Sequence, residues 1–396
     1  IRATRGDYRE NGENKNQLRF WEKSDFIPRS EDIFQERLYC IQWVKKRQKG
    51  SQYDQEFRQV TEEDLLREKK VIDYVRENLE DWQAKGYISD MMIEKGYNTD
   101  QPIRERGWTY WHHLFSPRQL LMLGLTQKNI HKTVGNQPYL VVFFSRLLDW
   151  STKLCRYGTG AARESVAQTF YNQSLNTLYN YAVRPFSFAS TYLLEGTFNF
   201  PVHGNTQVNT HLATEISLEN DVYITDPPYG DAVKYEEITE FFIAWLRKNP
   251  PKEFAHWTWD SRRALAIKGE DENFRQGMIA SYRKMAKKMS DNGIKVLMFT
   301  HQSGTIWADM ANIIWASGLQ VTAAWYVVTE TDSALRGGAY VKGTVILVLR
   351  KRQQELHAFR DDLGWEIEGA VKEQVESLVG LDKEVRAQGS EGLYTD

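Results

Sequence analysis

Apolar residues recur at two different spacings along this chain, and the change between them falls near residue 206. Before that point the spacing is helical. In residues 62–85, Leu65, Ile72, Val75, Leu79 and Trp82 follow one another at spacings of seven, three, four and three, which predicts an amphipathic helix. Ser116-Pro117 predicts a second helix start, with serine at the cap and proline in the first turn. Further helices are expected over about 137–153 and about 162–182. Residues 1–60 are polar and weakly periodic, and are expected to form loops and short helices packed on a neighbour. Beyond residue 206, short β-branched runs alternate with helical stretches. Strands are expected at 207–213, 221–225, 294–300, 319–328 and 342–349, and helices at 235–248, 273–290 and 304–317. Asn292-Gly293 and Ser317-Gly318 stand where helices should stop and strands begin.

Strands alternating with helices imply an α/β fold with a mostly parallel sheet covered on both faces. The last two strands flank Gly337-Gly338 and read as an antiparallel hairpin at the sheet edge. The expected organisation is a mostly helical region over 1–200, an α/β domain over 201–352 and a charged, partly helical tail over 353–396. No internal repeat is visible.

Composition narrows the picture only a little. The chain has 396 residues, enough for two domains or one large domain with a helical annex. Its net charge of −2 excludes a generally basic nucleic-acid binder, so phosphate contacts would have to come from a local patch. Residues 246–288, with Arg247, Lys248, Arg262, Arg263, Arg275 and Lys284 among their cations, are either such a patch or a solvated helix face. Cys40 and Cys155 fit no zinc spacing, which points to a reducing, cytoplasmic setting with no disulfide framework and no metal. No apolar run approaches the roughly 20 residues that span a bilayer, so no membrane partner is expected.

The chemistry concentrates in Asp226-Pro227-Pro228-Tyr229, directly after the 221–225 run. An exocyclic amine on adenine or cytosine is a poor nucleophile because its lone pair is conjugated with the ring. Two acceptors on its N–H groups, the Asp226 carboxylate and the Pro227 carbonyl, pull the nitrogen toward tetrahedral geometry. They also stabilise the positive charge that grows as a methyl group arrives. The prolines stiffen the loop, so the acceptors need not reorganise. Tyr229 would stack on a base that has left its duplex. A plain structural turn is the alternative use of Asp-Pro-Pro. In open α/β sheets, ligands bind outside the carboxyl ends of the strands, which is where Asp226 would stand.

Asp226-Pro227-Pro228-Tyr229 resembles the catalytic tetrapeptide of amino-methyltransferases that use S-adenosylmethionine. The wider set is more specific. It comprises Thr225 through Val233, then Tyr235 and Phe241 through Arg247. Upstream it includes Trp111-His112-His113-Leu114-Phe115-Ser116-Pro117-Arg118-Gln119-Leu120. Downstream it includes Phe299-Thr300-His301-Gln302, Trp307 and Leu347 through Arg352. Together these resemble the C-terminal half of large prokaryotic adenine-specific DNA methylases, over about residues 105–352. The resemblance implies a Rossmann-like methyltransferase sheet, S-adenosylmethionine as cofactor, DNA as partner and adenine N6 as target. Restriction-modification or phage defence is the implied setting, with other defence proteins as possible partners. The same tetrapeptide also occurs in enzymes acting on cytosine N4 and on RNA bases, and a non-catalytic nucleic-acid-binding subunit could borrow the fold.

One part of the pattern is missing. The family's glycine-rich cofactor loop, Asp-Pro-Phe-x-Gly-Gly-Gly, is not found here. Gly158-Thr159-Gly160 follows no convincing strand, and Gly337-Gly338 precedes one. The chain opens on Ile1, so the loop is expected on an upstream segment or a second chain. Ala213, Thr214 and Asp226 are the expected cofactor contacts, with Ala213 and Thr214 equally open to being a tight turn. Arg262, Arg263 and Arg336 are the candidate nucleic-acid contacts, the first two beside Trp257 and Trp259. Alternatively, those tryptophans anchor their own loop and Arg336 tips a surface hairpin. His112-His113 read as packing or capping residues, and His301 either lines the cleft or is a hydrogen-bonded structural histidine.

Overall fold

The structure is a computed structural model. It describes residues 9–10, 13–14, 18–46, 53–133, 137–155, 157–158, 165–166, 168–170, 186, 204–228, 234–261, 263–267, 272–328, 343–354, 359, 363–373 and 375–376. These form a mixed α/β protein whose chain divides into two compact units. The first comprises residues 1–216 and 228–278, and the second residues 217–227 and 279–396.

The first unit contains a hairpin of β1 (Cys40–Lys46) and β2 (Tyr53–Gln59). Its helices are α1 (Glu62–Ala84), α2 (Asp100–Arg106), α3 (Pro117–Lys132), α4 (Gln137–Trp150) and α5 (Tyr235–Leu246). Helix α1 starts where its pattern predicts, because Thr61 and Asp64 form a reciprocal capping box. Ser116 and Gln119 do the same for α3, with Pro117 in its first turn. Glycine at position 124 lets α3 approach α1, since a Cβ there would lie 2.3 Å from the Trp82 ring. Buried aromatic rings dominate the core. Phe115 meets Trp245 edge-on at 5.0 Å and Trp111 meets Phe241 at 5.5 Å.

His112 and His113 belong to this core. Both are fully buried, and their Nε2 atoms lie 3.1 Å from the Asp25 carbonyl and 3.0 Å from the Glu22 carbonyl. The Nδ1 of His113 accepts the backbone N–H groups of Thr109 and Tyr110, so its Nε2 is the nitrogen that donates to Glu22. Burial pushes His112 down to about 4 and His113 well below its ordinary value. The packing role expected for this pair holds.

The second unit is built on a four-stranded sheet. Its strands are β3 (Asn220–Thr225), β4 (Met289–Phe299), β5 (Leu319–Val328) and β6 (Gly343–Lys351), in the order β3-β4-β6-β5. Only β3 and β4 run parallel; β6 is antiparallel to both of its neighbours. The sheet is therefore mixed, not mostly parallel. The expected hairpin of the last two strands is present, with β5 at the edge and β6 inside. Helix α6 (Glu272–Lys288) leads into β4, and α7 (Gly304–Ala316) joins β4 to β5. Gly318, at φ +77, ends α7 in the left-handed conformation that glycine tolerates.

Side chains alternate across the sheet. Tyr223, Lys295, Leu297, Phe299, Leu347 and Leu349 are buried, and the pairing register places them on one face. On the other face of β3, Val222 is 52% and Ile224 69% exposed, so the expected double coverage fails at this edge strand.

Several expectations need correcting. The 207–213 strand is absent: residues 207–212 are irregular and exposed apart from partly buried Leu212, and Ala213–Glu215 form a 3₁₀ turn. Val208, Thr210 and Leu212 supply alternation but no paired neighbour. Asn292-Gly293 does not end a helix; both residues lie inside β4, where a Gly293 Cβ would come within 2.9 Å of the Asp221 carbonyl. Ser165–Val166, placed at the start of a fourth helix, instead pair with Tyr157–Gly158 as short strands, and residues 171–182 lie outside the described residues. The 40–59 hairpin replaces the expected loops and short helices there. Helix α5, expected in the α/β domain, lies in the first unit because Phe241, Ala244, Trp245 and Leu246 join that core.

Candidate active site

The parallel pair positions the carboxylate. Tyr223 stands opposite Lys295 and Thr225 opposite Leu297, so both strands end at the same rim, with Asp226-Pro227 following β3 and Thr300-His301 following β4. Asp226 is exposed and Pro227 is partly buried. The second unit ends this segment at Pro227, and Pro228 opens the next segment of the first. Tyr229 lies outside the described residues.

The strand end beneath Asp226 is tied down. Thr225 Oγ1 donates to the Val296 carbonyl at 3.2 Å and accepts from Lys295 Nζ at 2.5 Å. Lys295 has no measurable exposure, and its Nζ sits 3.8 Å from the centroid of the Tyr282 ring. Burial pushes the Lys295 amine down to about 7. The Tyr282 hydroxyl lies beside Thr225 without a well-formed hydrogen bond. Burial raises its pKa, and the nearby Asp226 charge raises it further. Tyr282 therefore keeps its proton. Sequence reading missed Lys295 and Tyr282. The available signal was a single lysine inside the apolar run Ile294 to Phe299, which in a buried strand marks a cation that must be accommodated.

His301 stands two residues ahead of Ser303, the N-cap of the helix after β4. Its Nδ1 accepts the Ser303 N–H at 2.9 Å, and its carbonyl accepts Trp307 Nε1 at 2.9 Å. Of its two expected roles, the structural one is the role seen.

The candidate nucleic-acid contacts fare differently. Arg262 and Arg336 lie outside the described residues. Arg263 is buried in the first unit and grips Glu240 with two hydrogen bonds, of 2.7 and 3.0 Å. Its guanidinium is spent inside the fold, so Arg263 is withdrawn as a phosphate contact. Three further cations of this stretch are ion-paired: Arg247 and Lys248 with Asp90, and Arg275 with Glu272. Trp257 and Trp259 stack at 6.2 Å, and Trp259 Nε1 donates to the Phe254 carbonyl, which is the arrangement of an anchored loop.

Ala213 and Thr214 do not fit the expected cofactor contacts. They stand in a partly exposed turn of the first unit and not at the end of a strand beside β3. Among the described residues β3 has one neighbour in the sheet, β4. The described residues also contain no group of histidine, cysteine or acidic side chains able to hold a metal ion, and no helix among them is long and apolar enough to cross a membrane. No family model, curated protein or solved structure matches the chain.

Proposed function

We propose that this chain carries the amine-gripping part of a Rossmann-like methyltransferase that modifies adenine N6 in DNA, in the cytoplasm, within restriction-modification or phage defence. One observation carries the reading. An exposed carboxylate and a proline follow a strand of a parallel pair, at its carboxyl end, which is the rim where ligands bind in open α/β sheets. Asp226 and the Pro227 carbonyl accept the two N–H groups of the target amine and oppose the charge that builds on its nitrogen. Pro227 and Pro228 hold those acceptors in place before the base arrives, and Tyr229 stacks on it. S-adenosylmethionine supplies the methyl group in this reading, and its cradle comes from an upstream segment or a second chain.

The test is transfer of labelled methyl groups from S-adenosylmethionine to DNA and to RNA of matched sequence. The expected result is label in DNA adenine, with a loss of about a hundredfold or more in Asp226→Ala. Label confined to RNA would move the substrate class, and an active Asp226→Ala would remove the mechanism.

A second reading is favoured by the single sheet neighbour of β3 among the described residues and by the misfit of Ala213 and Thr214: a non-catalytic nucleic-acid-binding subunit with a methyltransferase-like sheet. Calorimetry separates the two, since such a subunit binds DNA and takes up no S-adenosylmethionine even with its partners present.

A further inference from the structure

Lys295 is an expensive residue to place where it is. It is fully buried, and among the described residues it has no ion-pair partner. A methionine would fill similar space with no charge to desolvate. What the lysine adds is a single hydrogen bond, to the hydroxyl of the residue immediately before Asp226. That hydroxyl is engaged as both donor and acceptor, so its rotamer is locked and the end of β3 is fastened to β4. Tyr282 on α6 closes the arrangement from below with its ring face.

We propose that Lys295 is a positioning residue for the Asp226 site, holding the Thr225 hydroxyl and through it the peptide that presents Asp226 and the Pro227 carbonyl. This rests on the amino-methylation reading above. The buried amine touches no substrate; it works by fixing two acceptors whose placement within about an ångström sets the rate. The low proton affinity of Lys295 accords with its desolvated place but is not what assigns the role.

The test compares Lys295→Met, Thr225→Val, their double mutant and Thr225→Ser in the full chain with its partners. The first two should each lower kcat roughly ten- to a hundredfold, with the KM for DNA within about twofold. The double mutant should be no worse than the more damaging single one. Thr225→Ser, which keeps the hydroxyl, should recover most of the rate. An unchanged kcat in folded Lys295→Met, additive losses, or a loss confined to KM would overturn the proposal. Should Lys295→Met fail to fold, the Thr225→Val and Thr225→Ser pair decides.

Hydrogen exchange at the Thr225 and Asp226 amides gives a readout independent of activity, so failure of the functional reading can be told from failure of this one. Exchange should quicken in Lys295→Met and Thr225→Val but not in Ile313→Val, a core control in the same unit. Equal protection in all variants would overturn the positioning role even in an active enzyme. Quickened exchange in a chain that transfers no methyl would sink the functional reading and leave the strand-end anchor standing.

Discussion

Arg263 in the first unit and Lys295 in the second are both shut away from water, yet among the described residues only Arg263 has a carboxylate beside it. Glu240 is fully buried and meets the Arg263 guanidinium in a fork, with Ser261 donating to the same carboxylate. Lys295 has a threonine hydroxyl and a tyrosine ring. A paired buried charge holds its surroundings together, because removing either partner strands the other. An unpaired one is tolerated for what it orients. On the proposal above, the difference separates a residue that builds the protein from one that serves a site, and each unit can be tested for its own side of the contrast.

The largest effect should come from Arg263→Met. It leaves Glu240 buried without its cation, and should cost the first unit about 3–5 kcal/mol in urea denaturation. A cost under about 1 kcal/mol would mean that the pair is not the clamp its geometry suggests.

Titration sharpens the comparison next. His112 and His113 are neutral in the fold and bind protons once unfolded. Their contribution is therefore complete above about pH 6.5 and is lost as pH falls below that, for His112 toward about 4. At about 1.4 kcal/mol per pH unit, His112 alone accounts for up to about 3 kcal/mol. Lys295 shifts in the same sense at the other end of the scale. Its folded-state value of about 7 lies below the ordinary lysine range, so the second unit should gain stability as pH rises from 7 toward 10.5. Denaturation midpoints that do not fall between pH 6.5 and 4.5 would contradict the histidine assignment.

Lys295→Met should then do the reverse of Arg263→Met: leave stability unchanged or raise it by about 2 kcal/mol, measured the same way. A loss of more than about 2 kcal/mol would show that the lysine holds the core and would erase the contrast. The smallest effect belongs to the surface. Lys351→Ala breaks an ion pair with Asp291, which is 96% exposed, and should shift stability by less than about 0.5 kcal/mol.

Elements with strong local signals were legible in the sequence. Residues 319–328 form the strand expected, and Ser116 and Gly318 mark helix ends as side chain or backbone freedom dictates. The 40–59 hairpin was hidden because Ile41 and Trp43 alternate with polar neighbours inside a highly charged stretch. Pairings between distant residues were not legible at all. Arg263 reads as a free basic residue beside tryptophans, and its partner lies 23 positions away in an apolar helix. The rim position of Asp226 was legible because it needs only a strand followed by a turn. The anchor beneath it was not, because Thr225, Tyr282 and Lys295 meet only once β3, α6 and β4 are assembled.

The most direct measurement is the N6-methyladenine content of DNA incubated with S-adenosylmethionine and either the wild-type chain or Asp226→Asn, each with its partners. N6-methyladenine is read after digestion to nucleosides and set beside DNA affinity. The account predicts N6-methyladenine with the wild type and at least about a hundredfold less with the variant, at equal affinity for DNA. Equal N6-methyladenine from both proteins would contradict it.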